Sequence, residues 1–86
     1  MKRKPKRTTI EVMRDILEVA ANGAKFTTIR LKARLNYSMA IHYLTLAHDN
    51  GYIQHENRTF LTTEKGNSFI KTANELAMME STKDSI

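Results

Sequence analysis

Cysteine is absent from the 86-residue chain, which excludes disulfides and thiolate metal sites and suits a reducing interior. No apolar run approaches the ~20 residues needed to span a bilayer, so no membrane partner is expected. Glu11, Arg14, Asp15 and Glu18 interrupt the apolar residues that follow the basic N-terminus, so no signal-peptide core is expected there either. There is no glycine-rich phosphate loop, no nucleophile paired with a base and no set of converging carboxylates. The expectation is a protein that is not an enzyme, with no cofactor and no evident small-molecule ligand. His42, His48 and His55 fall on different faces or elements without a completing ligand, so no metal is expected. A chain this short builds one small domain with a thin core, and a partner chain is a reasonable companion.

What is present is positive charge, unevenly placed. The net charge is +5, and Lys2, Arg3, Lys4, Lys6 and Arg7 supply five cations within the first seven residues. The rest balances at nine basic and nine acidic side chains. That balance is uneven in turn, because Lys25, Arg30, Lys32 and Arg34 occur between Val19 and His48 with no carboxylate among them. Two features therefore suit phosphate: a basic arm and the basic side of a neutral domain.

Residues 1–7 are expected to be disordered, because like charges repel and Pro5 lacks a backbone donor. Thr8 and Glu11 have capping-box spacing at the start of a first helix. Ile10, Met13, Ile16, Leu17, Ala20 and Ala21 form its apolar stripe, and Asn22-Gly23 ends it. A second helix follows Phe26, capped by Thr27 or Thr28, with Ile29, Ala33 and Leu35 inward and Arg30 and Arg34 on one exposed side. Asn36-Tyr37 makes a turn, and Ser38 caps a third helix that reaches about Asn50 before Gly51 stops it. Ala40, Tyr43, Leu44 and Ala47 share one face of that helix, with Ser38, His42, Thr45 and Asp49 opposite and Met39 beside them. Tyr52–His55 and Arg58–Leu61 read as a hairpin turning at Glu56-Asn57. Thr62 or Thr63 caps a last helix. The fold expected is mainly α with a small β-hairpin: a winged helix-turn-helix plus a C-terminal dimerisation helix. Its parts are a basic arm (1–7), a winged domain (8–62), a terminal helix (63–82) and a frayed tail (83–86).

These segments resemble the small archaeal winged-helix DNA-binding proteins of the ten-kilodalton chromatin-protein and transcriptional-regulator type. The likeness covers roughly Ile10 to Phe69 in element order. It rests on Ile16-Leu17, Asn22-Gly23-Ala24, Thr27-x-Ile29 leading to Ala33-x-Leu35-x-Tyr37, Tyr43-Leu44, Asn50-Gly51-Tyr52-Ile53 and Leu61-Thr62-x-x-Lys65-Gly66. It implies DNA binding through the third helix and wing, and homodimerisation through an antiparallel pairing of C-terminal helices. One departure stands out, since the terminal helix here has only about five turns.

In a helix-turn-helix the second helix enters the major groove. Candidates for base edges are Tyr37, Ser38, Met39, His42 and Thr45, with Asp49 expected outside the contact. None is arginine, asparagine or glutamine, so strong base discrimination is not written on this helix. The bland alternative is a solvated surface with Ser38 only a cap. Candidates for phosphate are Lys2, Arg3, Lys4, Lys6, Arg7, Arg30, Lys32, Arg34 and Arg58, against the alternatives of a solubility tail, a charged helix face and a plain hairpin surface. Phe69, Ile70, Ala73, Leu76, Ala77 and Met79 are candidates for dimerisation, with Phe69 also suited to the core. The expected partners are double-stranded DNA and a second copy, in a cytoplasmic, nucleoid-associated setting. A transcriptional regulator is the first reading. The alternatives are a non-specific architectural chromatin protein and a protein-interaction module without DNA binding.

Overall fold

The computed structural model of the chain describes residues 7–85, with side chains as far as Met79. Helix α1 (Thr9–Val19) begins as its sequence predicts. Thr8 Oγ1 accepts the Glu11 N–H at 3.1 Å, and Glu11 Oε1 accepts the Thr8 N–H at 2.8 Å. Its core face is Val12, Met13, Ile16, Leu17 and Ala20. Ile10 and Ala21, expected in the stripe, sit beyond its edge, Ile10 being 44% exposed. The helix also stops earlier than the Asn22-Gly23 signal, at a C-cap on Ala20.

Helix α2 (Phe26–Lys32) starts on Phe26 rather than after it, with Lys25 at the N-cap and no capping side chain. Thr27 and Thr28 therefore lie inside its first turn. The cause is a non-local pairing: Ala24 and Phe60 exchange two backbone hydrogen bonds, at 2.9 and 2.7 Å. That bridge holds the chain extended until it turns directly into the helix. At the far end Ala33 is the C-cap and Arg34 is left-handed, with φ 57°. The Arg34 N–H donates to Leu31 O and the Leu35 N–H to Arg30 O, which makes a complete Schellman motif.

Helix α3 (Tyr37–Asp49) is capped by Asn36, whose Oδ1 accepts the Met39 N–H at 2.8 Å. The turn is thus Arg34-Leu35, not Asn36-Tyr37, and Ser38 is a first-turn residue instead of the cap. Gly51, with φ 76°, takes the position after the Asn50 C-cap. It donates to His48 O while Tyr52 donates to Ala47 O, a second Schellman motif.

Strands β1 (Ile53–Glu56) and β2 (Thr59–Thr62) pair antiparallel, Ile53 opposite Thr62 and Glu56 opposite Thr59. Both strands lie one residue later than the sequence pattern placed them. Tyr52 is committed to the α3 stop and Ile53 is buried, which sets the register. The turn is Asn57-Arg58 with φ 51° and 64°, the two left-handed residues of a type I′ hairpin.

Helix α4 (Glu64–Ser85) is longer than expected, 22 residues or roughly six turns, and it continues through the segment predicted to fray from 83. Thr63 caps it, its Oγ1 accepting the Gly66 N–H at 3.1 Å and donating to Gly51 O at 2.6 Å. Thr62 Oγ1 donates to the Leu17 carbonyl at 2.6 Å in the interior. Ile16, Leu17, Ile29 and Ile53 are fully buried where α1, α2, α3 and the wing meet. Phe69 and Ile70 seat α4 against that core.

Candidate nucleic-acid interface

The outer face of α3 collects Ser38, Ile41, His42 and Thr45, all exposed at one-turn and two-turn spacings. Tyr37 and Met39 flank its N-terminal end, and the Tyr37 ring, 66% exposed, meets Phe26 edge-on at 5.5 Å. His42 rests edge-on against Tyr43 at 5.0 Å. All five residues expected at a major groove therefore share an accessible surface, with Asp49 at its far end. Ile41 is an addition. It is 44% exposed in the middle of this face. The signal for it was positional, one turn beyond Ser38, and was masked because an isoleucine is ordinarily assigned to a core.

The helix-two cations are arranged differently from the sequence expectation. Arg30 and Arg34 do not share a helical side, because α2 ends at Lys32 and Arg34 follows in the left-handed region. Lys32 and Arg34 instead line one open cleft with Lys25 and Thr28, while Arg30 is half-buried outside it. Asp15 and Glu18 of α1 line the same cleft. The stretch without carboxylates is thus faced in space by two acids from the preceding helix.

Lys2, Arg3, Lys4 and Lys6 lie outside the described residues. Arg7, expected to be disordered with them, is held. It forms an ion pair with Asp15 at 2.9 Å and hydrogen bonds to two carbonyls of the α2–α3 turn. Arg58 stands exposed at the wing tip. Below it His55 stacks on Phe60 at 4.1 Å, the rings within 2° of parallel.

Ile41, Thr45, His48, His55 and Phe60 line a shallow hollow between α3 and the wing. His48 of α3 and His55 of β1 both line it, from the different elements that the sequence assigns them. Among the described residues no group of three or more His, Cys, Asp or Glu is placed to hold a metal ion. Also among the described residues, no helix is long and apolar enough to cross a membrane.

On α4, Phe69, Ile70 and Ala73 pack within the chain, Phe69 lying 5.0 Å from the Tyr52 ring and Ala73 only 5% exposed. Their packing is the core role that Phe69 was also expected to take, and Phe69 and Ile70 remain partly exposed. Leu76, Ala77 and Met79 are exposed and, with Ile10 and Arg14, line a mostly apolar groove between α1 and α4.

An exposed helix following a tight helix-turn, beside a two-stranded antiparallel wing, is the arrangement of a winged helix-turn-helix. The chain belongs to that family: the family model described as winged helix-turn-helix matches residues 6–81. Among solved structures it is similar to Sso10a-2, a DNA-binding protein from Sulfolobus solfataricus, with a TM-score of 0.82 at 29% identity. The match covers 92% of this chain and 87% of that one. No curated protein matches the chain.

Proposed function

We propose that this protein binds double-stranded DNA as a homodimer and regulates transcription, with α3 in the major groove and cations on the flanking phosphates. The observation that carries the reading is the backbone of two arginines. Arg34 at the helix turn and Arg58 at the wing tip both adopt φ values that glycine occupies without strain. Both residues are exposed, Arg58 at the wing tip and Arg34 at the rim of the cleft it shares with Asp15 and Glu18. Their strain suits a functional charge at the two points where a winged helix meets a duplex. The likeness to a DNA-binding protein of nearly the same length supports it. Ile41 extends the α3 face with an apolar group suited to a thymine methyl.

A second reading has its own support. The outward residues of α3 include no arginine, asparagine or glutamine, the side chains that read bases with paired hydrogen bonds. That favours backbone-dominated binding by an architectural chromatin protein. Fluorescence anisotropy on labelled duplexes of unrelated sequence, at two salt concentrations, separates the readings. Steep salt dependence with no preference among sequences supports the architectural role, and a clear preference supports the regulator. No binding at low salt sinks both and leaves a protein-interaction module.

A further inference from the structure

Among the described residues, two of the hydrogen bonds that Arg7 makes end on the turn between α2 and α3. Nη1 donates to the Ala33 carbonyl at 2.7 Å and to Asp15 Oδ2 at 2.9 Å, and Nη2 donates to the Arg34 carbonyl at 3.0 Å. Ala33 is the C-cap of α2, and Arg34 is the strained residue after it. Carbonyls at a helix C-terminus lack intrahelical partners and carry the negative end of the helix dipole, so a guanidinium there is well matched. Asp15 holds the guanidinium from the other side and is itself approached by Arg14 at 3.6 Å. Only Leu35 separates the left-handed Arg34 from the Asn36 cap of α3. The carbonyls gripped by Arg7 therefore belong to the joint that aims α3.

We infer that Arg7 is a positioning residue for DNA recognition: it braces the α2–α3 joint and sets the direction of α3, and it does not contact phosphate. This rests on the DNA-binding reading above. The position of Arg7 at the end of the N-terminal cations pointed to a phosphate contact. Asp15 and the two carbonyls, however, take three of its five N–H groups, and the side chain is only 25% exposed, so little of the guanidinium is turned outward to a phosphate. Lysine cannot replace it, because an ammonium lacks the planar fork that reaches three acceptors in different directions.

The test is duplex binding across salt concentrations by wild type, Arg7→Lys, Arg7→Ala and Asp15→Ala. Amide hydrogen exchange of the same proteins is measured without DNA, and circular dichroism checks that each is folded. A brace predicts that Arg7→Lys, which keeps the charge, weakens binding about tenfold, the scale of one lost charge-assisted hydrogen bond. Asp15→Ala should weaken binding as well, although it removes a negative charge. The Arg34 and Leu35 amides should exchange faster in all three variants. The inference is overturned by Arg7→Lys binding like wild type, by Asp15→Ala binding more tightly, or by a salt slope that falls by about 0.9 in Arg7→Ala, the mark of one lost phosphate contact. Unchanged exchange at the turn overturns it whether or not DNA binds. A wild type that binds no duplex overturns the DNA-binding reading and with it the role assigned to Arg7. The exchange data then show separately whether the brace itself exists.

Discussion

A methyl group added at position 66 would collide with the Tyr52 carbonyl oxygen and come within 2.6 Å of Thr62 Cγ2. Gly66 lies in the first turn of α4, where replacing glycine by alanine ordinarily stabilises a helix by about 1 kcal/mol. Here the sign should invert, and Gly66→Ala should cost about 1–3 kcal/mol through overpacking against backbone. Urea denaturation reads it, and a gain in stability would mean that α4 does not approach Tyr52 so closely. Arg34 and Arg58 give the opposite case. Glycine at either site relieves left-handed strain, less the extra freedom of an unfolded glycine, a net gain of roughly 0.5 kcal/mol. Each substitution should also lower affinity for every duplex and reduce the salt slope by about 0.9. A more stable protein that binds DNA unchanged would remove that arginine from the interface. The residue types at these sites were visible in the sequence, but their meaning was not. Lys65-Gly66 was legible as a motif, and only the approach of Tyr52 explains why its glycine lacks a side chain.

At the scale of elements, several local signals are legible where a residue and its partner lie within one turn, although the α3 cap is Asn36 and not Ser38. The Thr8–Glu11 box, the Gly51 stop and the Thr63 cap are of this kind, and they sufficed to order helix, helix, helix, hairpin, helix. Apart from that cap, the differences in α2 and the hairpin fall where a distant partner decides. The start of α2 is set by the Ala24–Phe60 bridge, and the hairpin register by the burial of Ile53 and the use of Tyr52 in the α3 stop. The end of α2 was misplaced because a left-handed arginine carries no local warning, and with it went the supposed Arg30–Arg34 face. The exposure of Ser38, His42 and Thr45 on one side of α3 follows from spacing alone. The capping box makes a direct prediction. Thr8→Ala should lose about 1 kcal/mol, with the Glu11 amide left unpaired. Because Thr8 adjoins Arg7, amide exchange in the α2–α3 turn should rise with that loss. A thermal melt and exchange on the same variant test both, and an unchanged melt would mean the cap is satisfied by water as well as by Thr8.

At the scale of the whole molecule, the two halves of α4 differ. From Phe69 to Ala73 the helix is seated on the core, whereas Leu76 is 44% and Met79 66% exposed along the groove shared with Ile10 and Arg14. An apolar strip of this kind on a small domain suits a partner. A second copy satisfies both chains by one symmetric contact, because a two-fold interface presents the same patch to itself. It would also present two α3 helices to one duplex, where linked binding sites raise affinity beyond either alone. Leu76→Lys places a charge in that strip without entering the core, so the fold should survive while the association does not. Sedimentation velocity should give twice the chain mass for the wild type and the chain mass for the variant, and binding to a duplex should weaken as the second α3 is lost. A variant that keeps the dimer mass would move the seam away from α4. A wild type that sediments as a single chain would leave the groove for a partner of another kind and make DNA binding the work of one α3.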